Sequence, residues 1–369
     1  MQSQDKKQTG PSAKGQTRAE NRQDALSTRP ESAARAESAS RAETLARNTE
    51  TYRELGLAIF IVILSVIFQI RNPKFLSFSN IKDMLANTAI LSILTVGMMM
   101  VIITRGIDLS IGSTMALAGM ITSLTVSANP GISPFLSLAQ GMAVGLAAGL
   151  IIGVLVAYFN ILPIIATLGL MNILRGMTYL ISKGKWVSAY QMSAGFKSLS
   201  TGTTFGISNL IIFAIVIYII YAYFINQTKT GRYIYAVGSS PDTAELIGIK
   251  RRRIILLVYT LMGLLAGLAG VLWVSKFASA QGDTAVGYEL NVIAATVLGG
   301  VSVSGGRGKV SGILLGSILF GILANALPLI NISPFWQQFI QGLVILAAII
   351  SNVLLQRRND RIALKKRVI

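Results

Sequence analysis

Residues 137–158 read SLAQGMAVGLAAGLIIGVLVAY, a run without a single charged side chain. A helix needs about 20 predominantly apolar residues to cross the hydrocarbon core of a bilayer. Glycines recur here every four residues and therefore share one helix face: Gly141, Gly145, Gly149 and Gly153. Small residues at this spacing let helices approach closely inside a membrane. The stretch predicts a transmembrane helix that packs on a neighbour through its glycines.

Working outward from this run, similar apolar segments fill the chain from Leu55 onward. There are ten in all: 55–70, 87–104, 108–127, 137–158, 161–182, 207–226, 254–275, 289–305, 309–330 and 335–355. The eighth ends in a glycine-rich run, which predicts a half-length or broken helix near 289–305. Glycines also line the seventh and ninth segments, at Gly263, Gly267 and Gly270 and at Gly312 and Gly316. The fold class predicted is an all-α integral membrane protein with about ten transmembrane helices.

The composition excludes several classes of protein. Of 369 residues, 52% are hydrophobic and 13% are charged, and the mean hydropathy is +0.61. A soluble domain carries about 25% charged residues. Cysteine and histidine are absent, which excludes disulfides, thiolate and imidazole metal sites, and histidine acid–base catalysis. The acids after residue 54 form no paired or metal-spaced set, so we expect no catalytic residue and no metal site.

The net charge of +18 is unevenly distributed. Basic residues concentrate in the N-terminal tail, in Arg105, in the 227–253 loop, in the Arg307 and Lys309 turn, and in the C-terminal tail. Basic loops beside apolar segments mark the cytoplasmic side of a membrane protein. This distribution predicts that both termini are cytoplasmic. It indicates contact with membrane lipid and no nucleic-acid partner.

The domain boundaries follow from the same pattern. Residues 1–54 are polar and charged, with one aromatic residue, and predict a disordered cytoplasmic tail. Residues 55–355 form the predicted transmembrane domain, and residues 356–369 form a basic cytoplasmic tail.

The glycine-rich run after the eighth segment resembles a phosphate-binding loop only superficially. A P-loop needs a glycine where Val303 stands, and Ser or Thr where Val310 stands. The chain therefore lacks this nucleotide site. The glycines are interpreted as structural residues that let the backbone bend and pack: Gly299, Gly300, Gly305, Gly306 and Gly308.

The 227–253 loop contains a short helix signal. Ser240 can cap a helix, Pro241 suits its first position, and Gly248 can close it in a left-handed conformation. Asp242 and Glu245 favour a helix N-terminus. The signal predicts a two-turn helix that docks on another protein, or a simple loop helix without a partner.

Polar groups inside the apolar segments are candidates for a substrate path or gate, because such groups usually face the protein interior. Asp108 follows Arg105 and Gly106, and is expected to cap a helix and pair with Arg105; the alternative is a direct substrate or gating role. The full set of candidates is Asp108, Ser110, Thr114, Gln140, Asn172, Asn291, Thr296 and Asn325.

Four stretches together resemble a known family, the permease subunits of bacterial ATP-binding-cassette importers for simple sugars of the ribose type. They are 106–113 (GIDLSIGS), 166–169 (ATLG) with Arg175 and Gly176, 238–249 (GSSPDTAELIGI), and 287–308, which holds GYEL, AATVLGG and GGRG. At Arg105 and at the Gly184-Lys185-Trp186 patch, the sequence is similar to that of permeases for rhamnose-like sugars and autoinducer-2.

The resemblance implies a bacterial inner-membrane protein that translocates a monosaccharide and binds no cofactor of its own. It implies a dimer with a second copy or a paralogue, and a periplasmic or lipid-anchored sugar-binding protein on the outside. Separate ATPase subunits would bind ATP and dock on a coupling helix. That helix comprises Pro241, Asp242, Thr243, Ala244, Glu245, Leu246, Ile247 and Gly248.

Three other functions stay open at this point. The same family includes import permeases for autoinducer-2. An ion-coupled secondary transporter would place ionisable groups near the bilayer midplane, where Asp108 is the nearest candidate. A membrane enzyme or a channel-like protein is the third possibility.

Overall fold

The computed structural model describes residues 54–347 and residue 350. Eight helices in this part of the chain are long and apolar enough to cross a membrane. They are α1 (Glu54–Arg71), α2 (Phe78–Ile103), α3 (Ile111–Ala128), α4 (Pro134–Ala157), α5 (Pro163–Ser182), α7 (Asn209–Gln227), α10 (Arg251–Phe277) and α12 (Val310–Leu329). The all-α membrane fold predicted from the sequence is confirmed.

Shorter elements connect these helices. The helices are α6 (Ala194–Thr201), α8 (Lys229–Ser239), α9 (Pro241–Leu246), α11 (Tyr288–Leu298) and α13 (334–347). A 3₁₀ turn at Ala189–Gln191 precedes α6. Strands β1 (Thr203–Thr204) and β2 (Ile207–Ser208) form an antiparallel hairpin in which Thr203 pairs with Ser208.

Helices α2 and α10 form the centre of the fold. Every residue of α2 from Thr88 to Ile103 is buried. The backbones of α4 and α10 are in direct contact. A Cβ added to Gly145 of α4 would lie only 2.1 Å from the Gly263 carbonyl oxygen of α10. A Cβ on Gly149 would lie 2.3 Å from the Tyr259 oxygen. The predicted packing through glycines is confirmed for α4 and α10.

Helix α11 is the broken element that the glycine-rich run predicted. It has 11 residues, which span about 16 Å at ~1.5 Å per residue, roughly half of a ~30 Å hydrocarbon core. The chain then turns through Gly300 at φ 102° and returns as α12. Helices α11 and α12 touch where a Cβ on Gly316 would lie 2.1 Å from the Ala295 oxygen.

The structure departs from the sequence prediction at two places. Helix α2 begins at Phe78, nine positions before the predicted segment, because Ser77 accepts a hydrogen bond from the Asn80 amide and starts the helix early. The 227–253 loop holds two helices, since α8 precedes the predicted one. The tail over 1–54, apart from Glu54, and the tail over 356–369 lie outside the described residues, as does the end of the tenth segment.

The two ends of α10 define two faces of the described part of the molecule. The α9 face holds α8, α9, the start of α10 and the end of α2. The hairpin face holds the end of α10, the hairpin and α6, and there the backbones of Val187 and Ala280 pair at 3.0 Å in both directions.

Candidate functional site

A cavity of about 310 Å³ opens near the C-terminal end of α10. Residues of α2, α10, α11, α12 and α13 line it. Four of the lining side chains carry amides, namely Asn87, Asn291, Asn325 and Gln341. Each amide offers both donors and an acceptor. The lining therefore suits a ligand that presents several hydroxyl groups.

Aromatic rings form one side of this cavity. The ring centroid of Trp273 lies 4.9 Å from that of Phe277 and 5.0 Å from that of Tyr288. All three residues line the cavity. Rigid aromatic faces give an apolar surface at low entropic cost, and specific pockets combine them with a few placed polar groups.

The polar groups of the cavity are held by defined partners. The Asn80 amide donates to Asn325 Oδ1 at 2.9 Å, and the Asn325 amide donates back to Asn80 Oδ1 at 3.0 Å. Lys276 Nζ donates to Asn87 Oδ1. Among the described residues that line the cavity, Lys276 alone carries a charge. No carboxylate that could bind an ammonium group is among the described lining residues.

Two of the eight predicted path residues, Asn291 and Asn325, line this cavity. The other lining groups were not predicted, because Asn87, Trp273, Tyr288 and Gln341 come from separate parts of the chain. The sequence signal for this cavity was weak: aromatic residues occur near the ends of several helices, but they follow no specific spacing.

Asp108 lies elsewhere, in the link between α2 and α3. Its side chain is buried, and Oδ1 accepts hydrogen bonds from the Ser110 amide at 2.8 Å and the Ser110 hydroxyl at 2.7 Å. Ser110 occupies the N-cap position of α3, so the expectation that Asp108 is the cap residue is wrong. Thr114 is buried one turn further on, where its hydroxyl donates to the Ser110 oxygen at 3.0 Å.

The predicted pairing of Arg105 with Asp108 is also wrong. Arg105 has a left-handed backbone at φ 64°, and its guanidinium donates to α8: Nε to the Gly238 oxygen at 2.7 Å and Nη2 to the Ser239 oxygen at 2.8 Å. Closeness in sequence suggested Asp108, but the guanidinium is satisfied by the carbonyls at the end of a helix.

The three remaining path candidates are separate from the cavity. Gln140 Nε2 donates to the Thr125 hydroxyl at 2.9 Å. Asn172 is exposed on α5, and its amide donates to the Leu168 oxygen in the same helix. Thr296 is fully buried and its hydroxyl donates to the Val292 oxygen. The structure gives these residues bonds between or within helices.

Helix α9 is present where the sequence predicted it. Pro241 occupies its first turn, Gly248 follows it at φ 85°, and the Ser240 hydroxyl lies 2.7 Å from the Thr243 hydroxyl instead of capping a backbone amide. Ala244 is buried against the protein, whereas Leu246 is 87% exposed. Ile247 is 69% exposed and follows directly. Exposed apolar groups beside exposed acids, Asp242 and Glu245, suit a docking surface.

The five predicted structural glycines lie at close backbone contacts or turns. Gly300, Gly305 and Gly306 have positive φ angles of 102°, 86° and 72°. A Cβ on Gly299 would lie 2.5 Å from Ile313 Cα, and one on Gly308 would lie 3.1 Å from Val301 Cγ2.

The hairpin face exposes large aromatic side chains. Trp186 is 63% exposed, Tyr190 is 87% exposed and Phe205 is 98% exposed. Phe205 stands at the hairpin tip with φ 53°, and Gly206 follows at φ 77°. A two-residue turn of this kind favours Asn, Asp or Gly at its first position, so a bulky aromatic residue there is unusual.

Comparison with known proteins identifies relatives over most of the chain. Residues 80–349 match the family model described as "Branched-chain amino acid transport system / permease component". The ribose import permease protein RbsC of Bacillus subtilis is 39% identical over 307 residues, 83% of this chain and 92% of that protein. The L-arabinose transport system permease protein AraH of Escherichia coli is 35% identical over 297 residues, 80% and 89% of the two chains.

No solved structure matched the chain. The matched region runs from the start of α2 into α13 and includes the cavity, the link around Asp108 and α9. The chain therefore belongs to the family of membrane permease components typified by this model and by the ribose and arabinose permeases.

Proposed function

We propose that this chain is the permease subunit of an ATP-driven importer and that its cargo is a monosaccharide such as ribose or rhamnose. The carrying observation is the cavity at the end of α10, where amides and aromatic rings meet without a lining carboxylate. At about 310 Å³ it is at the small end of the ~300–1,000 Å³ range of small-molecule pockets.

The cavity chemistry favours a sugar over the branched-chain amino acid in the family's description. An amino acid zwitterion needs an anion for its ammonium group as well as a cation for its carboxylate, since buried charges are paired. Lys276 supplies a cation, and the lining residues supply no anion. A neutral sugar instead uses the amides of Asn87 and Asn291 and the rings of Trp273 and Tyr288.

Helix α9 is proposed as the docking site for a separate ATPase subunit. Its exposed acids and apolar residues form one continuous surface over residues 242–247, with Ala244 anchored below. ATP would bind on the partner, in agreement with the failed P-loop pattern at Val303 and Val310. With this assignment the α9 face is cytoplasmic, and both termini are proposed to be cytoplasmic as well, as the distribution of basic residues predicts.

The hairpin face is proposed to receive a soluble sugar-binding protein from outside the inner membrane. Aromatic residues dominate the energetics of protein interfaces, and three of them are exposed here. Lys183 and Lys185 closely precede Trp186, so the complementary surface is expected to be acidic. A second copy or a paralogue of the chain completes the transporter in the membrane.

Substitution of Asn291 by leucine tests the cavity assignment. The change keeps the number and branching of the side-chain heavy atoms and removes the amide, and a lost hydrogen bond costs about 0.5–1.5 kcal/mol. We expect the uptake of labelled monosaccharide at subsaturating concentration to fall roughly three- to tenfold. Uptake by cells and the amount of permease in the membrane are measured together.

The matched control is Asn129→Leu, since Asn129 is exposed at the end of α3 and does not line the cavity. The control is expected to transport within twofold of the unmodified chain. Equal uptake by both variants would remove the cavity from the sugar path. Uptake of leucine in place of ribose and rhamnose would contradict the proposed cargo.

A further inference from the structure

Three backbone segments meet at the α9 face. They are the end of α2 (residues 103–105), the end of α8 (residues 238–239) and the turn between α11 and α12 (residues 305–306), and we name them the Arg105 junction. The Gly306 amide donates to the Ile103 oxygen at 2.9 Å. Near the same turn, the Tyr235 hydroxyl of α8 donates to the Gly308 oxygen at 2.7 Å.

The segments of the junction touch with no space for side chains between them. A Cβ on Gly238 would lie 1.8 Å from the Ile103 oxygen. A Cβ on Gly305 would lie 2.5 Å from Arg105 Cγ, and one on Gly306 would lie 2.7 Å from Ser239 Cα. Close-packed protein interiors transmit displacement because they contain few voids. A shift of any one segment must therefore move the other two or break their contacts.

Arg105 makes the polar connection in this junction. Its two donors bind the carbonyl oxygens of Gly238 and Ser239, the last residues of α8. A cation at a helix C-terminus is favoured by the helix dipole and by the unpaired carbonyls there. Ser240 follows at once and Pro241 begins α9. Arg105 thus holds the backbone that directly precedes α9.

Both elements on the other side of the junction lead to the cavity. Asn87, Thr88 and Leu91 of α2 line it, and Asn87 lies about 24 Å along the helix from Ile103, at ~1.5 Å per residue. The turn at 305–306 joins α11 and α12, which contribute Asn291 and Phe320. The junction is therefore a single point from which α9 can act on three cavity-lining helices.

We propose that Arg105 is a positioning residue that couples movement of α9 to α2 and to the α11–α12 turn. The proposal rests on the proposed function, in which α9 receives the force of the ATPase. Arg105 is exposed on the α9 face, and the proposal assigns its guanidinium to the α8 carbonyls, not to sugar or ATPase. Packed contacts, hydrogen bonds and rigid elements can carry coupling between distant sites, and α2 and the glycine-packed turn are elements of this kind.

The test compares Arg105→Gln with Arg105→Lys and with Arg232→Gln in the full transporter. Arg232 is an exposed arginine on α8, the helix that Arg105 contacts. Three quantities are measured: ATP-driven uptake, ATPase retained on the purified permease, and ATP hydrolysis. Arg105→Gln is expected to lower uptake at least tenfold, with retained ATPase and hydrolysis within twofold of the unmodified chain.

Arg105→Lys keeps the charge and one donor direction, so intermediate uptake is expected. Arg232→Gln should match the unmodified chain in all three quantities. Uptake within twofold for Arg105→Gln overturns the proposal. Joint loss of uptake and retained ATPase also overturns it, because that result assigns Arg105 to docking.

A second measurement needs the permease chain alone. The chain has no cysteine, so Asp83→Cys at the far end of α2 and Glu245→Cys on α9 can carry a single pair of spin labels. Both positions are exposed. Arg105→Gln is expected to widen the distance distribution at least twofold, and Arg232→Gln to leave it unchanged. An unchanged width for Arg105→Gln overturns the proposal.

The two experiments separate this inference from the proposed function. If the unmodified transporter shows no ATP-driven uptake, the proposed function fails. The spin-label result then decides by itself whether Arg105 ties α9 to α2.

Discussion

At the residue scale, two arginines bind main-chain oxygens, one at a helix end and one in a loop. Arg105 binds the end of α8, and Arg175 of α5 donates through Nη1 to the Gly282 and Thr284 oxygens, both at 2.8 Å. The 278–287 link that Arg175 holds leads directly into α11 and to Tyr288 of the cavity. One side chain therefore fixes an irregular stretch of backbone between two membrane helices.

Arg175→Gln is expected to destabilise the permease, because it removes two hydrogen bonds from a charged donor and leaves two oxygens without that partner. Hydrogen bonds to charged groups contribute about 1.5–3 kcal/mol. The thermal midpoint in detergent should fall by several degrees, and Arg175→Lys should recover part of the loss. A midpoint within 1 °C of the unmodified chain would contradict the role assigned to Arg175 (on a scale of ~2–4 °C per kcal/mol).

At the element scale, glycine packing determines which helices can be neighbours. The four-residue spacing in residues 137–158 predicted that α4 packs through its glycines, and the structure adds that α10 is the partner, with Gly263 and Gly267 opposite. A Cβ on Gly267 would lie 2.2 Å from the Gly141 oxygen. The glycine periodicity of one helix shows which of its faces packs closely. Which helix packs against that face depends on how all the helices are arranged in the fold.

Gly145→Ala tests this contact. A Cβ at 2.1 Å from the Gly263 oxygen forces α4 away from α10, and overpacking costs about 1–3 kcal/mol. We expect less monodisperse protein on size exclusion and a lower thermal midpoint. The control is Gly56→Ala in α1, where a Cβ would meet nothing within 4 Å. Similar behaviour of the two variants would contradict the proposed packing constraint.

The sequence predicted elements better than it predicted contacts between them. Apolar runs located the spanning helices, and Pro241 with two acids located α9. Helix α8 was missed because it lies in a basic, polar loop, and only Gly231, Ile234, Val237 and Gly238 are buried. The cavity was mostly missed because Asn87 and Trp273 are 186 positions apart. The partner of Arg105 was wrong because local order suggested a pair that the backbone does not form.

At the scale of the whole molecule, the described residues connect α9, the proposed docking helix, to the cavity proposed to bind sugar. Helix α9 is on one face, the cavity lies near the opposite end of α10, and α2 runs between them with sixteen consecutive buried residues. The family relationship covers this entire path. The proposed transporter separates its tasks accordingly, with ATP hydrolysis on a partner and translocation in this chain.

Reversal of charge on α9 tests that separation. Asp242→Arg combined with Glu245→Arg replaces two exposed acids on the docking surface, so the ATPase should be retained at least tenfold less and uptake should fall in parallel. The permease itself should stay in the membrane. Lys74→Glu, a charge reversal at an exposed residue between α1 and α2, is the control. Full ATPase retention by the double variant would contradict the docking role of α9.

The most direct test of the central claim is uptake of labelled monosaccharide by cells with and without this permease. We expect saturable uptake of ribose or a similar sugar that needs the permease, stops on ATP depletion, and survives an ionophore that collapses the proton gradient while ATP is maintained. Uptake that survives ATP depletion and stops with the ionophore would contradict it, and would identify an ion-coupled transporter instead.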